Sequence, residues 1–240
     1  MPEPLPFSSL EALKSGFAML GDPELAAKRA KAFRITAGNM LGISMKEIKA
    51  FAKPIGTHHA WALELYKSSV HEHRLLAALM ADPKQFDWET LNQWVEAFDS
   101  WDLCDTVSTQ IIVLQPDYRS HLVGWAIQEA EFIRRTPFAT IAGAAHRYKS
   151  QPDPYFQTFF PLIETYAYDE RNFVKKAVSW ALRGIGKRNP NLRDSAIALA
   201  GRIKNQNSKG ARWVAHDVLR ELQNPDLKLR NYPREVWKPR

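Results

Sequence analysis

Apolar residues recur at three- and four-residue intervals along almost the whole chain, the spacing of one buried helical face. Val174, Ala177, Val178, Ala181, Leu182 and Ile185 are the clearest run. The pattern predicts helices over residues 8–20, 23–37, 44–53, 57–67, 70–81, 88–98, 101–114, 117–129, 131–149, 154–167, 170–186, 191–204 and 208–223. Ser8-Ser9-Leu10-Glu11 reads as a capping box with Ser8 as N-cap, and Ser44-Met45-Lys46-Glu47 repeats the signature. Pro23 after Asp22 reads as a helix-starting proline behind a capping aspartate. Pro54, Pro83, Pro116, Pro152 and Pro190 fall between the periodic segments. No alternating strand and no Asn-Gly or Asp-Gly turn is present.

Helices of this length on short linkers imply stacked antiparallel pairs. Equivalent helices recur about every 35–40 residues, near the period of helical solenoids. The expected fold class is therefore all-α, a HEAT-like helical-repeat solenoid with a long concave surface suited to duplex DNA. Residues 1–223 are expected to form a single repeat domain, and 224–240 an irregular C-terminal tail.

Composition narrows the classes. The 240 residues are 45% hydrophobic and 25% charged, a globular balance. No apolar run approaches the roughly 18 residues of a membrane span. The N-terminus lacks the basic and apolar regions of a secretory signal, so a cytoplasmic protein is expected. Cys104 is the only cysteine, which excludes an internal disulfide and a cysteine-based zinc or iron–sulfur site within one chain. The net charge of +7 is unevenly placed: residues 171–240 hold 17 basic and 5 acidic side chains, residues 1–170 hold 16 and 21. Such a C-terminal third points to a polyanion, nucleic acid before an acidic membrane surface, or else to a solvated basic face.

Trp101 and Asp105 are four apart at the start of a helix and share one face, while Leu103, Val107 and Ile111 offer another to the core. This pair reads either as a core anchor beside a solvated charge or as a site. Arg135 follows Arg134 among apolar residues. It suits bidentate contact with a phosphate, or a salt bridge to Glu131 one turn earlier. Lys176, Trp180, Arg183 and Lys187 form one stripe down a helix, an aromatic ring flanked by cations. That combination fits sugar and phosphate contact; the alternative is Trp180 tucked against a neighbouring helix. His71 and His73 have the wrong spacing for a helical metal pair and read as packing histidines. Cys104 reads as a small buried side chain. No phosphate loop or dinucleotide fingerprint occurs.

Taken together, these segments resemble the AlkD-type DNA glycosylases, built from HEAT-like repeats. The resemblance rests on Leu41-Gly42-Ile43-Ser44, His71-Glu72-His73-Arg74-Leu75-Leu76, Ser100-Trp101-Asp102-Leu103-Cys104-Asp105, Phe132-Ile133-Arg134-Arg135-Thr136 and Phe173 to Arg183. It covers roughly residues 35–205. Departures are Thr106 for a usual serine, Ser179 for a glycine, and Pro137 for an alanine; Pro137 removes a backbone donor inside the helix. The resemblance implies that Trp101, Asp105, Arg135 and Trp180 match the family's DNA-cleft residues. It implies excision of positively charged alkylpurines, N3-alkyladenine and N7-alkylguanine, from duplex DNA without an extrusion pocket. Asp105, Trp101 and Trp180 are then the catalytic candidates, and Arg135, Lys176, Arg183 and Lys187 the DNA-binding ones. No metal, organic cofactor or membrane partner is expected, and a monomer is expected. Two other functions fit the same pattern: a non-catalytic HEAT-repeat protein binding damaged or unusually shaped DNA, and a protein-binding helical scaffold.

Overall fold

The computed structural model describes residues 6–33 and 39–237. The residues described contain no strand, only an isolated bridge between Asn39 and Val70. The chain divides into two compact units, residues 1–115 and 116–240.

The first unit holds α1 (Leu10–Ala18), α2 (Pro23–Phe33), α3 (Met45–Ile55), α4 (His59–Tyr66), α5 (His71–Met80), α6 (Trp88–Glu96) and α7 (Trp101–Gln110). Its core is the predicted apolar faces: Leu13, Phe17, Ile48, Leu65, Leu75, Leu76, Leu91, Val95, Leu103 and Val107 are all buried. The capping box at Ser44 and Glu47 forms in full, each side chain bonding the other's backbone. At α1 the cap moves one residue: Ser9, not Ser8, accepts from the Ala12 amide at 3.1 Å. Asp22 accepts from the amides of Glu24 and Leu25, so Pro23 does begin α2. The expected end of that helix, residues 34–37, lies outside the described residues.

Helix α3 runs through Pro54 to Ile55 rather than stopping before it. A proline in the last turn removes only one ladder bond, and Gly56, at φ 67°, ends the helix. The predicted helix 101–114 breaks at Ile111, whose backbone leaves the helical region, and continues as a 3₁₀ turn over Ile112–Leu114.

The second unit holds α8 (Tyr118–Ala126), α9 (Glu131–Arg147), α10 (Asp153–Gln157), α11 (Phe160–Tyr166), α12 (Asn172–Gly186), α13 (Pro190–Lys204) and α14 (Lys209–Leu222). Helices α10 and α11 replace the single helix expected over 154–167. Pro161, in the first turn of α11, has no amide to return to Gln157, and the break between the two helices falls just before it. Helix α9 continues through Pro137 for 17 residues. Helix α12 packs against α9, α13 and α14 with Val174, Ala177, Val178, Ala181, Leu182 and Ile185 fully buried.

Residues 224–237 lack regular secondary structure and are tied down. The Arg230 amide donates to the Lys187 carbonyl at 2.9 Å and the Tyr232 amide to that of Arg188 at 2.8 Å. Arg188 itself is fully buried, its guanidinium 3.7 Å from the Phe156 ring centre. It donates to the carbonyls of Ala145, Lys149 and Gln151. Burial pushes its pKa down to about 10.

Pairs of bonded residues recur at repeat-like separations. In the second unit Ser179–Asp217, Arg183–Glu221 and Arg202–Glu164 are each 38 apart. In the first, Glu72–Leu41 and His71–Asp102 are each 31 apart. This is the contact pattern of stacked repeats, in which each repeat touches the next one period along.

Candidate functional site

In the first unit the site residues sit on α7, and α7 is held by α5. The opening turn of α5, His71-Glu72-His73-Arg74, is polar in sequence yet buried throughout. Each side chain goes to a different place. Glu72 accepts the amides of Leu41 and Gly42 at 2.8 and 2.9 Å. Gly42 sits at φ 82°, where a Cβ would lie 2.0 Å from the Asp22 carbonyl oxygen, so only glycine fits that turn. His73 pairs with Ser68 at 2.9 Å. Arg74 donates to the Asp99 carboxylate at 2.7 Å and to the Ala97 carbonyl. His71 reaches Asp102 at 3.0 Å. These are packing histidines, as their spacing implied.

Helix α7 buries Asp102, Leu103, Cys104, Val107 and Ser108. Trp101 and Asp105 are half-buried on its less covered side, as the four-residue spacing predicts. Thr106 donates its hydroxyl to the Asp102 carbonyl and Thr109 to that of Asp105, both at 2.7 Å. Burial pushes the Asp102 carboxyl up, but the His71 hydrogen bond and charge outweigh it and hold the group below the ordinary value.

In the second unit Arg135 is 5% exposed and donates to the Phe173 carbonyl. Glu131 accepts the amide of the same residue at 3.0 Å. The start of α12 is thus gripped from α9 by two side chains on one residue. Arg134 turns away, donating to Asp169 at 3.0 Å. Asp169, 4% exposed, also accepts from Arg171. Burial raises its pKa, and the bonds from Arg171 and Arg134 more than reverse this.

The predicted stripe on α12 separates into two parts. Lys176 is exposed and Trp180 half-buried. Arg183 and Lys187 are instead engaged by α14. Lys187 pairs with Glu221 at 2.5 Å, and Arg183 with Glu221 and, at 3.2 Å, with Asp217. Ser179 donates to Asp217 at 2.6 Å, and the Lys175 ammonium lies 5.3 Å from the Trp213 ring centre. Positions 175, 179 and 183 face 213, 217 and 221, a constant offset that requires α12 and α14 to run parallel and in register. The serine that departs from the family's glycine therefore joins this ladder. Burial raises the Glu221 pKa, but Lys187 and Arg183 bring it below the ordinary value.

Sequence reasoning missed the acidic partners of Arg183 and Lys187 and the bond from His71 to Asp102. The signal was faint: a carboxylate one repeat period from each cation.

The chain matches the family profile described as "DNA alkylation repair enzyme" over residues 13–221. Among solved structures it is similar to a protein described as one of "a new family of proteins related to the HEAT-like repeat DNA glycosylases with affinity for branched DNA structures". That match has 16% identity, covers 92% of this chain and 98% of the other, and has a TM-score of 0.74. An engineered protein (13% identity, 90% and 99% covered, TM-score 0.39) and a designed armadillo repeat protein (13%, 88% and 99%, 0.37) are more distant. No curated protein matches. The family match spans far more than half of the sequence, and the all-helical fold agrees with it: this chain belongs to the DNA alkylation repair enzyme family, with a HEAT-like repeat fold.

Proposed function

We propose that this protein is a monofunctional DNA glycosylase that removes positively charged alkylpurines, N3-alkyladenine and N7-alkylguanine, from duplex DNA. The observation that carries the reading is the half-buried Trp101 and Asp105 pair on one side of α7, in a chain of the DNA alkylation repair family. An alkylated purine of this kind already bears the charge that makes it a leaving group. When the C1′–N bond breaks, its electron pair returns to the base, which departs neutral, and the sugar becomes an oxocarbenium-like cation. The Asp105 carboxylate stabilises that cation and orients the water that adds to C1′; the water's spare proton passes to bulk solvent, leaving an abasic site and the free base. Trp101, beside Asp105 in the first unit, offers an electron-rich ring to the deoxyribose, and Trp180 is the aromatic candidate for DNA contact on the second unit. The cations divide by availability. Lys176 is exposed and meets phosphate directly. Arg135, Arg183 and Lys187 reach it only by exchanging Phe173, Asp217 and Glu221 for it.

The test is incubation with N7-methylguanine-containing duplex and chromatography of the released bases. Free N7-methylguanine above the spontaneous rate supports the reading. A second reading is favoured by the structurally similar protein described as having affinity for branched DNA: binding of unusually shaped DNA without chemistry. Its signature is tight binding of a branched duplex with no base released from the alkylated one.

A further inference from the structure

The geometry points to His71 as a positioning residue for the proposed reaction, setting the place of the Asp105 carboxylate through the hydrogen bond between His71 Nε2 and Asp102. This rests on the glycosylase reading, in which Asp105 carries the chemistry.

His71 is 1% exposed and Asp102 8%. Their 3.0 Å bond joins the first residue of α5 to the second residue of α7. An ionised carboxylate only accepts, so the imidazole must carry its proton on Nε2 and donate it. The second carboxylate oxygen, Oδ1, accepts the Leu103 amide at 3.0 Å. Asp102 is therefore held on one oxygen by its own helix and on the other by α5. His71 Nδ1 has no partner and is buried, so the ring has no competing bond to satisfy. The loop before α7 is anchored from the same turn, by Arg74 to Asp99 and Ala97. Arg74 fixes where α7 begins; His71 fixes its rotation, because Asp102 is one of its first-turn side chains.

Rotation is the sensitive coordinate. A side chain extends about 5–6 Å from its helix axis, so a turn of about 10° moves the Asp105 carboxylate by about 1 Å. Misplacement on that scale costs about 10²-fold in a positioned reaction. Trp101 and Asp105 share a face and shift together. DNA binding draws on many phosphate contacts and is far less sensitive to such a shift.

The experiment compares His71→Leu and His71→Gln with the wild type. It measures single-turnover release of N7-methylguanine, affinity for undamaged duplex and thermal midpoint. The glutamine amide can still donate to Asp102; leucine cannot. His71→Leu is expected to lower the rate by about 30–100-fold with undamaged-DNA affinity within about twofold. His71→Gln is expected to recover most of the rate. A folded His71→Leu protein within about threefold of wild-type rate overturns the proposal, as does a glutamine variant as slow as the leucine one. If His71→Leu does not fold, Asp102→Asn carries the test. It keeps the shape but leaves a single acceptor oxygen, which cannot serve both the His71 Nε2–H and the Leu103 amide. A drop of about tenfold or more supports the proposal, and an unchanged rate overturns it. A wild-type protein that releases no base defeats the glycosylase reading and this proposal together; an active wild type with equally active variants defeats this proposal alone.

Discussion

Glu221→Gln isolates the two cations of the α12 stripe that α14 engages. In the wild type one carboxylate oxygen holds Lys187 at 2.5 Å and the other holds Arg183, which keeps Asp217 as a second partner at 3.2 Å. Glutamine has nearly the same shape and no charge, so it removes both ion pairs and leaves one oxygen for a neutral hydrogen bond. If the exposed side of α12 meets DNA, one to two additional phosphates become neutralised on binding. Each contributes about −0.9 to the slope of log affinity against log salt. The slope should steepen by about 0.9–1.8, so a fourfold drop in salt strengthens the variant's binding by about 3–12-fold more than the wild type's. The side chains are about a quarter exposed, so the lost ion pairs should cost the fold only about 1 kcal/mol or less. Fluorescence anisotropy of a labelled undamaged duplex over a salt series reads the slope, with circular dichroism to confirm folding. A folded variant with the wild-type slope means this side of α12 does not meet phosphate.

Three further outcomes follow from the same geometry. Asp105→Asn should slow single-turnover base release by about 10²–10³ while leaving undamaged-DNA binding equal or slightly tighter, because a charge facing phosphate is lost; release within about threefold of wild type would return Asp105 to a helix-start carboxylate. Arg188→Met should destabilise the second unit by about 2–4 kcal/mol in urea titration, since the carbonyls of Ala145, Lys149 and Gln151 lose a buried donor; a loss under about 1 kcal/mol would show that the tail and Phe156 hold without it. Asp169 has a folded-state pKa below its ordinary 3.8. Its stabilisation is complete above that value and is lost as pH falls through the lower folded value. Asp169→Asn should therefore flatten the loss of stability on acidification below about pH 4, measured by thermal midpoints across pH.

Much of the fold was legible because it is local. Helix faces show in three- and four-residue spacing, and the box at Ser44 and Glu47 closes within one turn. Breaks were harder where the apolar period runs on past the punctuation. Residues 154–167 keep a helical pattern, yet they split just before Pro161, which withholds one amide. At Pro54 the opposite holds, since a last-turn proline costs too little to end a helix that Gly56 ends two residues later. Within the candidate site, the shared face of Trp101 and Asp105 follows from spacing alone. The fates of Arg135, Arg183 and Lys187 do not. Their partners lie 34 to 38 residues away, a distance at which only the repeat register, not local pattern, pairs a cation with a carboxylate or carbonyl. His71 packs, as its spacing implies, and its partner Asp102 lies one repeat onward, where no local pattern points to it.

The central claim is chemical, so the most direct measurement is base release under single-turnover conditions from a duplex carrying N7-methylguanine, with wild-type protein in excess. The account predicts free N7-methylguanine and an equal amount of abasic site, formed well above the spontaneous rate. No release above that rate from a folded protein that still binds DNA would contradict it.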